Sequence, residues 1–178
     1  MFAKVEEQFG EVTNFARVFA HRPDVFKAWA ALNGAIRGNM DRRRYELATV
    51  AAARVLRSSY CSLAHAKVLR DRFYAAPELL DIVIDPERAE LSPVDLEVMR
   101  FSEQVARDAA SIAEEDVDRL REHGLTDLEI LDVALAAAAR CFFAKTLDAV
   151  GAQPDASYRT SLEPDLQEAL TTGRSIAD

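Results

Sequence analysis

The sequence predicts an all-α fold, and three observations carry that prediction. Apolar residues recur at three- and four-residue spacing along most of the chain, and Ser- or Thr-led start signals stand ahead of the later apolar runs. Val and Ile are spaced for helices rather than strands, and no Asn-Gly or Asp-Gly hairpin appears. At 178 residues the chain suits one domain with a real core: residues 1–155 as a helical bundle and 156–178 as a polar, partly helical C-terminal tail. No internal repeat with a period of 20 to 50 residues is evident.

Taken in order, Phe2, Val5, Phe9 and Val12 begin a helical pattern that continues through Phe15, Val18 and Phe19, weakened at Gly10. Pro23 opens the next helix, with Val25, Phe26, Trp29, Leu32 and Ile36 on one face and Gly38 as its stop. Asp41 is placed to cap the helix that follows, although Arg42, Arg43 and Arg44 in its first turn oppose the helix dipole; they are read as a solvated charge run reaching acidic neighbours, with an anionic-substrate site as the alternative. Leu47 to Ala53 is unbroken apolar and small, Ser58 and Ser59 interrupt, and Leu63 to Leu69 resumes. That pattern is two helices joined by a tight corner near Arg57.

Farther on, ELLDIVID between Pro77 and Pro86 is read as a short helix, with an extended connection as the alternative. Ser92 to Asp95 starts a helix whose face is Val94, Val98, Phe101 and Val105. Ser111 with Glu114, and Thr126 with Glu129, form two further capping boxes. The first opens a short helix that stops at Gly124. The second opens a long alanine-rich helix to Val150, ended by Gly151. Past Pro154 the chain turns polar, with one or two helical turns from Pro164 to Leu170.

The corner helices hold the candidate chemistry. If Ser58 caps the second helix, Cys61 falls in its first turn, where unpaired N–H groups and the positive dipole end favour a thiolate. His65 follows four residues later on the same face, within reach of the thiol proton. Glu46 lies eleven residues before the corner and His65 eight after it, so in an antiparallel hairpin their levels differ by about three residues, or roughly 4.5 Å at ~1.5 Å per residue. A Glu side chain or one water bridges such a gap, so the carboxylate can orient the imidazole. The competing reading ties Glu46 to an arginine such as Arg54 or Arg57 in a purely structural pair. Tyr60 either lines the pocket or packs. Cys141, among phenylalanines and alanines, reads as an inert thiol, and His21 and His123 as surface or capping residues. No set of His, Cys and carboxylates has convincing metal-ligand spacing.

Glu46, Ser58, Tyr60-Cys61 and His65 resemble the active-site segment of the AhpD-like alkylhydroperoxidases of the carboxymuconolactone decarboxylase superfamily, and the uncharacterised peroxidase-related branch most of all. The family pattern is a Glu, a C-x-x-C at a helix start and a His four residues after the second Cys. Ser58 stands on the first Cys, which is the departure. Weaker resemblance runs from about Phe9 to Asp155, through HRPDVFKAWAALNGAIRG and FFAKTLDAVGAQPD. The resemblance implies an AhpD-like bundle with a central helical hairpin, and a homo-oligomer (dimer, trimer or hexamer). It also implies a thiol-dependent peroxidase-like oxidoreductase with Cys61, His65 and Glu46 as catalytic residues and Ser58 and Tyr60 as pocket or capping residues. Its partners would be a small-molecule hydroperoxide and a thiol reductant, and no bound cofactor or metal is required. Two alternatives stand beside it. One is acid–base chemistry on a carbon acid or lactone by Glu46 and His65, as decarboxylase members of the superfamily perform. The other is a non-catalytic helical oligomer.

Charge and composition narrow the partners. A net charge of −8, from 30 acidic and 22 basic residues, argues against nucleic acid or an anionic membrane. No apolar run approaches the roughly 20 residues of a membrane span, and MFAKVEEQFG lacks a signal-peptide core, so a cytoplasmic protein is expected. Two cysteines eighty residues apart make no disulfide framework.

Overall fold

The structure is a computed structural model that describes residues 2–178 of the chain; the expected packing of the Phe9 side chain lies outside what it describes. No strand occurs among the described residues. The N-terminal apolar pattern is two helices rather than one, α1 (Phe2–Phe9) and α2 (Asn14–Phe19). Gly10 takes a left-handed φ of 78° between them, and the Thr13 hydroxyl caps α2 by accepting from the N–H of Ala16. α3 (Pro23–Asn39) begins at its proline as expected. α4 (Arg42–Val55) is capped by Asp41, whose carboxylate accepts from the Arg44 N–H at 2.9 Å.

After the corner come α5 (Ser59–Arg72) and α6 (Ala76–Ile84), so ELLDIVID is a helix. α7 (Pro93–Asp108) starts on Ser92, whose hydroxyl accepts from the Asp95 N–H. α8 (Glu114–Glu122) departs from its expected start. The Ser111 hydroxyl donates to the Asp108 carbonyl and closes a 3-10 turn, Ala109–Ser111. The Asp116 carboxylate caps α8 instead, accepting from the Ala113 N–H at 2.8 Å. α9 (Asp127–Ala149) carries the expected capping box between Thr126 and Glu129. α10 (Tyr158–Ser161) and α11 (Pro164–Leu170) are the last helices, and residues 171–178 follow without regular structure.

α4 is the central helix, packed by α5, α7 and α9. Every residue from Tyr45 to Ala53 on it is buried, which explains why Leu47 to Ala53 is apolar or small all round and leaves Glu46 a buried carboxylate. The polar C-terminal segment contributes to the core: Leu162, Leu166, Leu170 and Ile176 pack with Leu47, Val50, Leu63 and Leu69. The first three of these repeat at four residues, a helical signal within a stretch whose composition is otherwise polar. No described helix is long and apolar enough to cross a membrane.

Candidate active site

The α4–α5 corner is set by backbone chemistry. Leu56 ends α4, and Arg57 takes a left-handed φ of 56°. The Ser58 N–H then donates to the Ala53 carbonyl and the Arg57 N–H to the Arg54 carbonyl, both at 2.9 Å. This pair of bonds closes a helix end around a left-handed residue, a position usually given to glycine. The corner is held from outside by the C-terminal segment. Arg57 Nε donates to the Thr172 carbonyl at 3.2 Å, and the Gly173 N–H donates to Ser59 Oγ at 2.8 Å.

Ser58 occupies the N-cap position of α5 but makes no side-chain cap bond, so the expected hydroxyl cap is corrected. Its Oγ is buried without a partner, and Ser58 does not line the cavity. The first turn of α5 still begins there, and Cys61 is its third residue.

Antiparallel packing of α4 on α5 closes the expected gap directly. His65 Nδ1 lies 2.5 Å from Glu46 Oε2, and Arg42 Nη2 lies 2.7 Å from Glu46 Oε1. Glu46 therefore pairs with Arg42, not with Arg54 or Arg57. Arg43 and Arg44 reach the buried carboxylate of Asp95 at 2.7 and 3.4 Å, so the arginine run answers acidic partners at three positions.

Arg140, from the middle of α9, completes the group. Its Nη1 lies 3.6 Å from Cys61 Sγ and its Nη2 lies 3.5 Å from the Tyr45 hydroxyl. The Tyr45 hydroxyl in turn donates to Asn33 Oδ1 at 2.7 Å. Glu46, Cys61 and Arg140 are 0, 1 and 2% exposed, so the Glu46 and Arg140 charges act without much solvent between them. Burial opposes the Arg140 charge, but Cys61, Tyr45 and Glu46 outweigh it and hold the guanidinium above its ordinary range.

The proton states follow from the same neighbours. Burial, then Arg140 and Arg42, push His65 below the usual histidine range despite the pull of Glu46. Burial pushes the Glu46 carboxyl up, but His65, Arg42 and Arg140 outweigh it and bring it below the usual carboxylate range. A neutral imidazole beside a carboxylate carries its proton on Nδ1, which leaves Nε2 with a free lone pair.

Cys61, His65, Glu46 and Arg140 share one cavity of about 330 Å³. Its wall is aromatic: Trp29 stacks on Phe143 with ring centres 4.2 Å apart, and Phe15 and Phe26 stand 5.8 Å from one another. Tyr60 also lines this cavity. Its hydroxyl donates to the Asp155 carboxylate and accepts from the Phe15 N–H at 3.1 Å, so the side chain both lines and anchors. Cys141 is half-buried and does not line the cavity. It follows Arg140 by about 100° of helix rotation and so leaves the cavity side. Burial holds its thiol above the ordinary range, with Lys145 only partly offsetting this. Among the described residues no cluster of three or more His, Cys, Asp or Glu has the placement to hold a metal ion.

Arg140 and the aromatic wall are what sequence reasoning missed. The signal for Arg140 was a lone cation inside LAAAARCFFA, since a guanidinium in an otherwise small and apolar helix needs a buried partner. Nothing in the spacing linked it to Cys61, which is 79 residues away.

The pattern characteristic of the carboxymuconolactone decarboxylase family matches residues 23–115, more than half of the chain and all of α3, α4 and α5. The chain belongs to that family. The carboxymuconolactone decarboxylase fold seen here is similar to several crystal structures. An alkylhydroperoxidase AhpD core, an uncharacterized peroxidase-related protein from Ralstonia eutropha JMP134, is 26% identical with a TM-score of 0.80, over 88% of this chain and 84% of that one. An uncharacterized peroxidase-related protein from Silicibacter sp. TM1040 is 22% identical with a TM-score of 0.81, over the same shares. A variant of the debrominase Bmp8, in complex with 2,3,4-tribromopyrrole, is 15% identical with a TM-score of 0.78, over 94% of this chain and 88% of that one. The latter two likenesses concern the fold alone. No protein of curated function matches the chain.

Proposed function

We propose that this protein is a thiol-dependent peroxidase of the AhpD type, in which Cys61 is the nucleophile. The observation that carries the reading is the contact between Arg140 and Cys61, made inside a cavity that also holds the His65–Glu46 pair. A fixed guanidinium beside the sulfur is placed to balance negative charge that develops there as the thiol reacts. His65 Nε2 takes the Cys61 proton. The sulfur then attacks one peroxide oxygen, an S–O bond forms and the O–O bond breaks. The imidazolium returns the proton to the departing alkoxide, so a thiol and a hydroperoxide become a sulfenic acid and an alcohol. Glu46 fixes the tautomer and supports the imidazolium; Arg42 holds Glu46 in place.

Ser58 offers no thiol for a local disulfide, and Cys141 faces away from the cavity. An external thiol therefore condenses with the sulfenic acid, releasing water, and a second thiol frees Cys61 as the external disulfide forms. Graded exposure to cumene hydroperoxide followed by mass spectrometry tests the reading: Cys61 gains one oxygen before Cys141 does. Unmodified Cys61 at peroxide levels that oxidise Cys141 defeats it.

A second reading has its own support, because the His65–Glu46 pair is complete without Cys61. Proton transfer on a carbon acid or lactone by that pair survives Cys61→Ser and fails in His65→Ala.

The expected homo-oligomer belongs to the proposal too. Leu128, Leu131, Leu135 and Phe142 form an exposed row along α9 at helical spacing. Asp127 and Glu129 at one end and Lys145 at the other suit antiparallel pairing with a second copy, and sedimentation of Leu131→Glu against the parent tests it.

A further inference from the structure

We propose that the cavity beside Cys61 binds a planar aromatic carboxylate, so that the substrate is an organic acid with an aromatic body. The identity of its reacting group as a hydroperoxide rests on the peroxidase reading above; the binding itself does not. At about 330 Å³ the cavity has room for about eleven waters at ~30 Å³ each. Hydrogen peroxide, little larger than water, leaves most of it unfilled. An organic molecule of roughly ten heavy atoms fits the volume and meets the lower end of ligand-pocket sizes.

The wall selects the body of that molecule. Phe15, Phe26, Trp29 and Phe143 form one connected set of rings, with Phe15 and Phe143 5.8 Å apart and Trp29 on Phe143 at 4.2 Å. Ring edges and faces of this kind recognise another flat π-system beyond what apolar area alone supplies.

Charge selects the end group. Arg37, Arg42 and Arg140 line the cavity with Glu46 as the carboxylate among them, while His65 is neutral. Three positive charges against one negative leave an excess of two, inside a chain whose net charge is −8. A low-dielectric cleft of opposite sign to the whole protein draws anions in. Arg42 is occupied by Glu46, and Arg140 by Cys61 and Tyr45, whereas Arg37 makes no ion pair among the described residues.

Equilibrium dialysis of trans-cinnamate against the full chain tests this, with cinnamamide and octanoate as competitors. Cinnamate binds at one site per chain, and each competitor is at least tenfold weaker. Arg37→Gln, a change at an exposed residue, weakens cinnamate about fivefold and leaves cinnamamide unchanged. No cinnamate binding overturns the proposal, as does cinnamamide of equal strength, which removes the anion requirement. Octanoate of equal strength removes the aromatic requirement and overturns it too, and an Arg37→Gln chain that binds like the parent removes the charge assignment. Cinnamate carries no peroxide, so cinnamate binding with a Cys61 inert to cumene hydroperoxide sinks the peroxidase reading alone.

Discussion

Arg140 Nη1 lies 3.6 Å from Cys61 Sγ, across 79 residues of sequence and from a different helix. In the proposed mechanism this contact makes Arg140 the partner of the sulfur, as His65 is the partner of its proton. Arg140→Met should slow cumene hydroperoxide oxidation of Cys61 by about 10- to 100-fold, the range for loss of one charged hydrogen bond. Iodoacetamide labelling of Cys61 should fall with it, while Cys141 labels as before. Unchanged Cys61 rates in a folded variant would leave Arg140 a packing residue.

Glu46→Gln keeps the shape of the carboxylate and removes its charge. The amide no longer enforces the Nδ1–H tautomer, so the base role proposed for His65 would be lost. Turnover with hydroperoxide should fall by roughly 10²- to 10⁴-fold. Circular dichroism should stay helical, and a variant that keeps parental turnover would show Glu46 to be structural.

The pH profile follows from the direction of the His65 shift. Burial and the two arginines lower the imidazole below its ordinary value of about 6.5, so the neutral base persists below that pH. Stopped-flow oxidation of Cys61 should show its acid limb below pH ~6.5, and an inflection above that value would exclude His65 as the base. Stability shares the sign. As pH falls past ~6.5 the unfolded chain takes a proton that folded His65 refuses, so folding weakens. Glu46 adds a further loss when pH falls through its own lowered range.

Ser58→Cys places a thiol one helical turn before Cys61. The Ser58 hydroxyl makes no cap bond and has no partner, so the change removes no hydrogen bond and should fold with stability close to the parent. Peroxide should then produce a dithiothreitol-reducible bridge between residue 58 and Cys61, with faster dithiol-dependent turnover than the parent. A bridge without a gain in turnover would favour the acid–base reading.

Gly173 bears on the corner from outside. A Cβ there would stand 2.0 Å from the Arg57 carbonyl oxygen, which is backbone and cannot swing aside. Gly173→Ala should cost about 2 kcal/mol, or ~6 °C in melting temperature, by lifting the C-terminal segment from the corner. Equal melting of parent and variant would mean the segment shifts freely.

Much of the fold was written in local sequence. Asp41, Ser92, Thr126 and Pro23 each start a helix where their chemistry predicts, because a cap bonds to N–H groups only two or three residues away. Ser111 shows the limit of that reasoning. Its hydroxyl had two reachable partners, and the backward one, the Asp108 carbonyl, won.

The Glu46–His65 pair was legible for the same reason. Two helices joined by a tight corner have a register that follows from counting, and about 1.5 Å per residue fixes which side chains meet. The left-handed Arg57 was not legible, since reversal at a non-glycine residue depends on what surrounds it; here Thr172 and Gly173, far along the chain, hold that corner in place.

The sequence by itself determined an all-α chain with Cys61, His65 and Glu46 gathered at one hairpin, because helix period and capping act over a few residues. Only the tertiary structure decided that Arg140 meets the sulfur, that Trp29 and Phe143 wall the cavity, and that Leu166 and Leu170 join the core. Those contacts depend on how helices pack across one another, and side-chain spacing within a helix says which face is buried but not which helix covers it.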